Sequence, residues 1–305
     1  MLNFNIRKTV FYSKYKAEFF LLLATILWGS TFTITKIVLN AFSPLGILFY
    51  RFYIAFFLLF LFLSIKKKLK LNFVIISYGF LLGILGFLGY YLQTYGLMFT
   101  TPSRSAFFTQ TFIVYVYFIE LFILKKRIDK NQWTSLVLIL LGAYFMLFEF
   151  YLPWHLFFTE TLTLKGDLFT IASALCFALY LIVINYIKED FLNVLLVHFF
   201  FIFSISFFFT PILDLNHYMF EFFLILILSI LGTLFASLIM FLYQPKLNPI
   251  KASILYSLEP VFAFFFSSLL INLKYTFGEL LGSLLIFIGS LFGAFKNSKN
   301  IDKEI

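Results

Sequence analysis

Glu259 is the residue in this sequence best placed to do chemistry. It lies ten residues into an apolar run over 249–271, roughly 15 Å deep at the rise of a helix. An ionisable group at that depth in hydrocarbon costs about 2.5–3.5 kcal/mol on insertion scales, so its presence asks for a reason. Pro260 follows directly and brings no N–H, which predicts a bend with freed carbonyl groups beside the carboxyl. Such a carboxyl can bind a proton, a cation or a substrate amine; the alternative is a hydrogen-bonded structural group that locks the bend. Arg51, about two turns into the run 44–65, is the other deep charge and suits a cavity or a pairing role. Lys36 and Arg104 fall near the same end, where three cations would draw a carboxylate-bearing solute. For Lys36 and Arg104 the plainer role is anchoring at an interface. His198 is a lone histidine in the run 191–212, either a satisfied interhelical residue or a proton site.

Around these charges, helical 3–4 spacing gathers aromatic, amide and hydroxyl groups on single faces. Thr25, Trp28, Phe32 and Thr35 share a face of 17–38. Gly79, Gly83, Gly86, Tyr90 and Gln93 share a face of 72–98, where the glycines permit close helix approach. Ser103, Phe107, Gln110, Val114 and Tyr117 share a face of 102–124, with Gln110 the midplane counterpart of the Glu259 region. Ser173, Phe177 and Tyr180 share a face of 166–187, and Tyr256 stands one turn before Glu259. Trp28, Arg51, Tyr90, Gln93, Gln110, Tyr180, Tyr256 and Glu259 are therefore expected to bind a substrate in a pocket with aromatic walls and sparse hydrogen-bonding groups. Glu259 and His198 are the candidates for a coupling ion or proton. Any one aromatic, taken singly, is better explained by packing.

The elements that hold these groups must be membrane spans. Of the 305 residues, 62% are hydrophobic and only 12% charged, against about 25% charged in a soluble domain. Mean hydropathy is +1.00. So few charges cannot coat a water-facing surface of the size this length demands, which excludes a soluble enzyme, a nucleic-acid-binding domain and a disordered chain. Apolar runs of about 20 residues match a hydrocarbon core of ~30 Å. Ten are expected, at 17–38, 44–65, 72–98, 102–124, 132–150, 166–187, 191–212, 219–243, 249–271 and 276–295. They leave a basic tail over 1–16, a central connection over 151–165 and a second tail over 296–305. The single cysteine, Cys176, leaves no internal disulfide and no cysteine metal cluster. The 49 Phe residues read as a compositional bias rather than as functional marks.

The net charge of +9 reports orientation rather than nucleic acid. With ten crossings, Arg7, Lys8, Lys14, Lys16, Lys66–Lys70, Lys125–Lys130, Lys188, Lys246, Lys251, Lys296, Lys299 and Lys303 fall on one side. Lys36, Arg104, Lys165 and Lys274 fall on the other. The positive-inside rule then places both termini in the cytoplasm. The halves also match. An offset of 147 residues lays Pro102 on Pro249, Arg104 on Lys251 and Gly142 on Gly289, and an offset of about 149 serves the front of each half. Five spans per half is odd, so the second half enters from the opposite side. The result is an inverted repeat, 17–150 against 166–295, with a site expected at the midplane between the halves.

Trp28-Gly29-Ser30-Thr31-Phe32, Lys36, Ser43-Pro44 and Arg51-Phe52, in that order, resemble the opening of the EamA-type permeases of the drug/metabolite transporter superfamily. Gly166-Asp167-Leu168 with Ala174 to Tyr180, Leu258-Glu259-Pro260-Val261-Phe262-Ala263, and Gly282 with Gly289 continue the likeness over about 17–295. The sequence departs from the family pattern at Lys126 and Leu273, where a Glu is common, and at Ile113, which stands opposite Pro260. The resemblance implies ten helices, with the first four of each half around a central cavity and the fifth of each half peripheral. It also implies alternating-access transport of small metabolites, commonly amino acids or related polar solutes.

The expected protein is thus an all-α, multi-pass secondary transporter of a bacterial inner membrane, not an enzyme. No cofactor, metal or nucleic acid is expected. A small-molecule substrate, the lipid bilayer and a coupling proton or counter-solute are the expected partners. The glycine stripe Gly278, Gly282, Gly289 and Gly293 points to packing on the fifth helix or to a homodimer. The alternatives are an exchanger of phosphorylated or nucleotide-linked metabolites, which would need several deep cations, and a lipid-modifying enzyme using Glu120, Glu259 or His198. Asp129, Glu149, Asp167, Glu189 and Asp190 are expected to be solvated at membrane ends, and Glu120 to reach the interface.

Overall fold

The computed structural model describes residues 15–148, 161–188, 190–209, 218–272 and 277–295, and every regular element among them is a helix. In chain order they are α1 (Lys16–Val38), α2 (Pro44–Ile65), α3 (Phe73–Leu97), α4 (Pro102–Ile123), α5 (Lys130–Phe148), α6 (Thr161–Ile184), α7 (Phe191–Phe207), α8 (Met219–Lys246), α9 (Pro249–Ile271) and α10 (Phe277–Phe295). Seven of them, α1–α4, α6, α8 and α9, contain stretches long and apolar enough to cross a membrane; α7 and α10 carry shorter apolar stretches. Helix α6 begins earlier than the expected 166, so 161–165 is helix rather than connection. Most of both tails, 151–160 of the central connection, Glu149, Glu189 and Lys274 lie outside the described residues.

The starts follow from local chemistry. Ser43, Thr101 and Asn248 each accept a hydrogen bond from the backbone N–H three residues on, and Pro44, Pro102 and Pro249 follow them in the first turn. Asn72 caps α3 in the same way. Two helices are broken at equivalent points. Helix α9 is interrupted after Tyr256 and resumes at Glu259, and α4 is interrupted at Thr111. The offset of 147 lays Thr111 on Leu258. Pro260 accounts for one break only, since Ile113 stands opposite it. The other break carries the Thr111 hydroxyl bonded back to the Phe108 carbonyl at 2.7 Å, and Ser257 bonds back to Ile254 at 2.6 Å. Such back-bonding competes with the helical ladder and bends it.

Packing repeats with the sequence. Helix α1 packs on α8 and α9, and α6 packs on α3 and α4; α2 meets α7, and α5 meets α10. Exchanging the halves, α1 for α6 through α5 for α10, returns the same set of pairs. In the α5–α10 pair, a methyl on Gly142 would come within 2.5 Å of the Gly282 carbonyl and one on Gly289 within 2.9 Å of Leu138. The glycine stripe of α10 is therefore used inside the chain. The phenylalanine surplus faces outward: Phe57, Phe62, Phe122, Phe200, Phe220 and Phe265 are all exposed, which suits lipid and would be a liability in water.

Side-chain contacts sort the ends of the helices. Lys36 donates to the carbonyls of Leu97, Met98 and Thr100, and Arg104 pairs with Asp167, so these belong to one end. At the other end Glu18 pairs with Lys251, Asn185 donates to the Leu247 carbonyl, and Lys126 lies 5.9 Å from the Tyr186 ring.

Candidate functional site

One cavity of about 60 Å³ lies between the halves. Trp28 and Thr31 of α1, Arg51 of α2, Tyr90 and Gln93 of α3, and Thr109 and Phe112 of α4 line it from the first half. Phe177, Tyr180 and Leu181 of α6, Met240 of α8, and Tyr256 and Glu259 of α9 line it from the second. Seven of the eight expected pocket residues therefore meet in one space. The eighth, Gln110, stands behind it and donates from Nε2 to the Glu259 carboxylate at 2.5 Å.

Two of the lining residues, Trp28 and Arg51, are held by α8. Its middle, Leu228–Phe235, is a π-helical stretch, a geometry that misaligns the ladder and leaves carbonyls open to other donors. The Gly232 carbonyl accepts from Trp28 Nε1 at 3.0 Å and from Arg51 Nη2 at 3.3 Å. Arg51 Nε donates to the Thr233 hydroxyl, which in turn donates to the Leu228 carbonyl at 3.0 Å. The guanidinium also sits 5.1 Å from the Tyr90 ring centre and 5.8 Å from that of Phe52. A buried cation needs such fixed acceptors and π faces to replace its water. Its remaining donors are available to a ligand. Glu259 opens the second part of α9, beside the interruption that Pro260 and Ser257 make. Gln93 donates to the Thr109 hydroxyl at 3.1 Å, and the Tyr256 hydroxyl donates to Gln244 Oε1 at 3.2 Å. Trp28 and Tyr256 meet edge to face at 5.3 Å.

Other expectations fared differently. His198 is fully buried between helices, its Nε2 3.5 Å from the Tyr180 hydroxyl and its Nδ1 without a hydrogen-bond partner among the described residues; it touches the cavity wall from behind. A methyl on Gly86 would lie 2.6 Å from that Nε2. Asp167 is not solvated. It is buried and takes a two-pronged pair from Arg104, because α6 packs against the start of α4. Arg104 is accordingly an ion-pair partner more than an interface anchor, and Lys36 binds three carbonyls at the end of α3. Glu120 is likewise buried, paired with Lys126 at 3.0 Å past the π turn Ile119–Ile123, and does not reach the interface freely. Val114 is 40% exposed and departs from the inward face of α4, which runs instead through Gln110, Ile113 and Tyr117, all buried.

Thr31, Thr109, Phe112, Leu181 and Met240 were not singled out by sequence reasoning. The repeat could have found four of them. The two offsets pair Thr31 with Tyr180, Met240 with Gln93, Thr109 with Tyr256 and Phe112 with Glu259, as they also pair Trp28 with Phe177. Ten of the thirteen lining residues are thus five pairs of equivalent positions. The cavity lies where the halves exchange.

Fold and cavity together define a polytopic helical membrane protein that encloses a small-molecule site. The EamA-like transporter family matches the chain twice, over residues 15–148 and 164–294, and the chain belongs to that family. An uncharacterized transporter of Archaeoglobus fulgidus is 37% identical over 132 residues, 43% of this chain, and the match spans 40% of that relative's length. A solved crystal structure shares the fold, with a TM-score of 0.70 over 91% of this chain and 96% of that chain at 14% identity. The chain is an integral, multi-pass membrane protein of that family.

Proposed function

We propose that the protein is a secondary active transporter of an amino acid or closely related polar solute, working by alternating access around the cavity. One observation carries this reading: the cavity wall presents a single fixed cation, Arg51, and a carboxyl group, Glu259, among aromatic rings. A zwitterion would set its carboxylate against the guanidinium and its amine against Glu259, with its side chain on Trp28, Tyr90, Phe177 and Tyr256. The family match over both halves and the exchange-symmetric packing support two inverted five-helix units, about 17–150 and 166–295, with ten crossings. The basic residues that gather at the Glu18–Lys251 end support a cytoplasmic location for both termini. The reading extends to a bacterial inner membrane and to a proton or counter-solute as the driving species, with Glu259 the group that would carry it. Lys36 and Arg104 are engaged with carbonyls and with Asp167, so the cavity lacks the several free cations that a phosphorylated metabolite would demand.

The test is counterflow in vesicles of the purified protein, with and without an imposed pH gradient. Zwitterionic amino acids should be exchanged, and analogues lacking either the amine or the carboxylate should compete at least about tenfold more weakly, the loss of one charged hydrogen bond. Glu259→Gln should abolish any response to the pH gradient. Equal competition by both deletion analogues, or by sugar phosphates, would refute the assignment.

A further inference from the structure

The internal repeat relates more than the cavity walls. The front offset of 149 carries Glu18 onto Asp167, and the later offset of 147 carries Arg104 onto Lys251. These four residues form two ion pairs: Arg104 Nη2 to Asp167 Oδ2 at 2.7 Å, and Lys251 Nζ to Glu18 Oε1 at 2.6 Å. Each joins the first helix of one half to the fourth helix of the other, and they stand at opposite ends of the bundle. Their surroundings are alike in burial, although Asp167 also accepts from Thr100 Oγ1 at 3.2 Å whereas Glu18 Oε2 has no hydrogen-bond partner among the described residues. Each acid is nearly sealed, 3% and 4% exposed, while each base keeps a partly wet side chain, 25% and 21% exposed. Each base sits in the first turn of a helix capped through a Thr or Asn side chain, Thr101 and Asn248, with Pro102 and Pro249 following. Beside each pair a donor from the end of the first helix holds the connection between third and fourth helices. Lys36 donates to the Thr100 carbonyl at 2.8 Å, and its counterpart Asn185 donates to the Leu247 carbonyl at 2.7 Å.

We propose that Arg104–Asp167 and Lys251–Glu18 are the two gates of the transport cycle, each closing one mouth of the cavity by tying α4 to α6 or α9 to α1. The assignment rests on the alternating-access reading above and adds the parts that alternate. A half-wet ion pair suits this use. It is strong enough to bias a closed mouth and weak enough to be replaced by water when the helices part. Both pairs are formed in this structure. Opening to one side requires one pair to break while the other holds, and the symmetry of the repeat makes the two openings the same motion in opposite senses.

The experiment reads sidedness and needs no substrate. Thr31 lines the cavity, so Thr31→Cys in a Cys176→Ala background reports access by a membrane-impermeant maleimide added to either side of oriented vesicles. Asp167→Asn should raise labelling about threefold to fivefold from the Arg104 side alone, the factor of a partly exposed pair, and Glu18→Gln should do so from the Lys251 side alone. The charge exchange Arg104→Asp with Asp167→Arg should bring labelling back toward the parent. Where a neutralised variant fails to fold, the pair Arg104→Cys with Asp167→Cys replaces it; oxidation should suppress labelling from that side only, and reduction restore it. Labelling that changes equally from both sides, or not at all in folded protein, overturns the gate assignment. Opposite sidedness with no amino-acid exchange keeps the gates and removes the solute reading, and exchange without sidedness does the reverse.

Discussion

Helices α3 and α6 touch backbone to backbone where Gly96 meets Gly166, and a single methyl there should disturb both stability and the cavity. A Cβ on Gly96 would lie 2.6 Å from the Gly166 carbonyl oxygen and 2.7 Å from Thr170 Oγ1, and a Cβ on Gly166 would lie 2.7 Å from the Gly96 oxygen. Ordinary contact is about 3.5 Å, so the helices must part by roughly 0.8 Å. The obstacle is a helical carbonyl, which cannot rotate aside as a side chain can. Overpacking of this kind costs ~1–3 kcal/mol, and a backbone obstacle belongs at the upper part of that range. Gly→Ala in a helix returns ~1 kcal/mol of propensity. The net for Gly96→Ala is therefore a loss of about 2 kcal/mol. Gly89→Ala meets only the Phe177 ring edge, at 2.8 Å for its nearest atom, and should cost less. Because one separation relieves both clashes, Gly96→Ala with Gly166→Ala should lose clearly less than the sum of the single changes. Thermal unfolding of the detergent-solubilised protein measures this, and the double-mutant cycle supplies the coupling. The same spacing sets Tyr90 and Gln93 against Phe177 and Tyr180, so the rise in Tm on adding substrate should shrink in parallel. A Gly96→Ala protein as stable as the parent, or strict additivity in the double variant, would refute the reasoning.

Two more outcomes concern buried hydrogen bonds. Gln244→Leu removes the donor to the Leu181 carbonyl and to Asn185 Oδ1, both at 2.7 Å, and the acceptor for the Tyr256 hydroxyl. With two buried groups and the half-buried Asn185 amide stranded it should cost about 3 kcal/mol, read by thermal unfolding, whereas a loss below about 1 kcal/mol would mean that water replaces the amide. Gln110→Leu strips Glu259 of its donor while leaving the cavity wall in place; counterflow should fall at least about tenfold with only a modest change in Tm, and unchanged counterflow would make the Gln110–Glu259 contact structural alone.

How much the sequence disclosed depended on how far each signal reaches along the chain. Hydropathy and charge located the helices, because a span must be apolar along its whole length and a proline or cap at its start is a local matter. The deep polar groups were legible because hydrocarbon tolerates so few of them: Arg51 and Glu259 both face the cavity. Gln110 was correctly drawn toward Glu259 but not into the wall, since periodicity gives a face and not a depth. Asp167 was misjudged because its partner, Arg104, is distant in sequence and becomes adjacent only when α6 crosses the bundle against α4. Val114 points outward because the step from Gln110 along the buried face is three residues, to Ile113, and periodicity allows three or four equally. The π stretch of α8, which frees the Gly232 carbonyl for Trp28 and Arg51, has no signature in the apolar run around it.

The repeat is kept at the mouths and abandoned in the middle, and that contrast bears on mechanism. At the ends, acid stands opposite acid and base opposite base: Glu18 with Asp167, Lys251 with Arg104. Inside, Trp28 with Phe177 keeps an aromatic ring, but the other equivalent positions differ in chemistry: Thr31 with Tyr180, Thr109 with Tyr256, Gln93 with Met240, and above all Phe112 with Glu259. Arg51 is matched by His198 in the same frame, and their neighbours Thr233 and Gly86 correspond as well, so one position bonds a hydroxyl where the other meets bare backbone. A device that opens first to one side and then to the other needs two like gates, because the two motions are one motion reversed. A site that holds one solute in one orientation cannot be symmetric, because a solute with a carboxylate at one end and an amine at the other is not. Equivalent mouths around a non-equivalent cavity are therefore what a duplicated chain should retain once it moves a polar, unsymmetrical molecule.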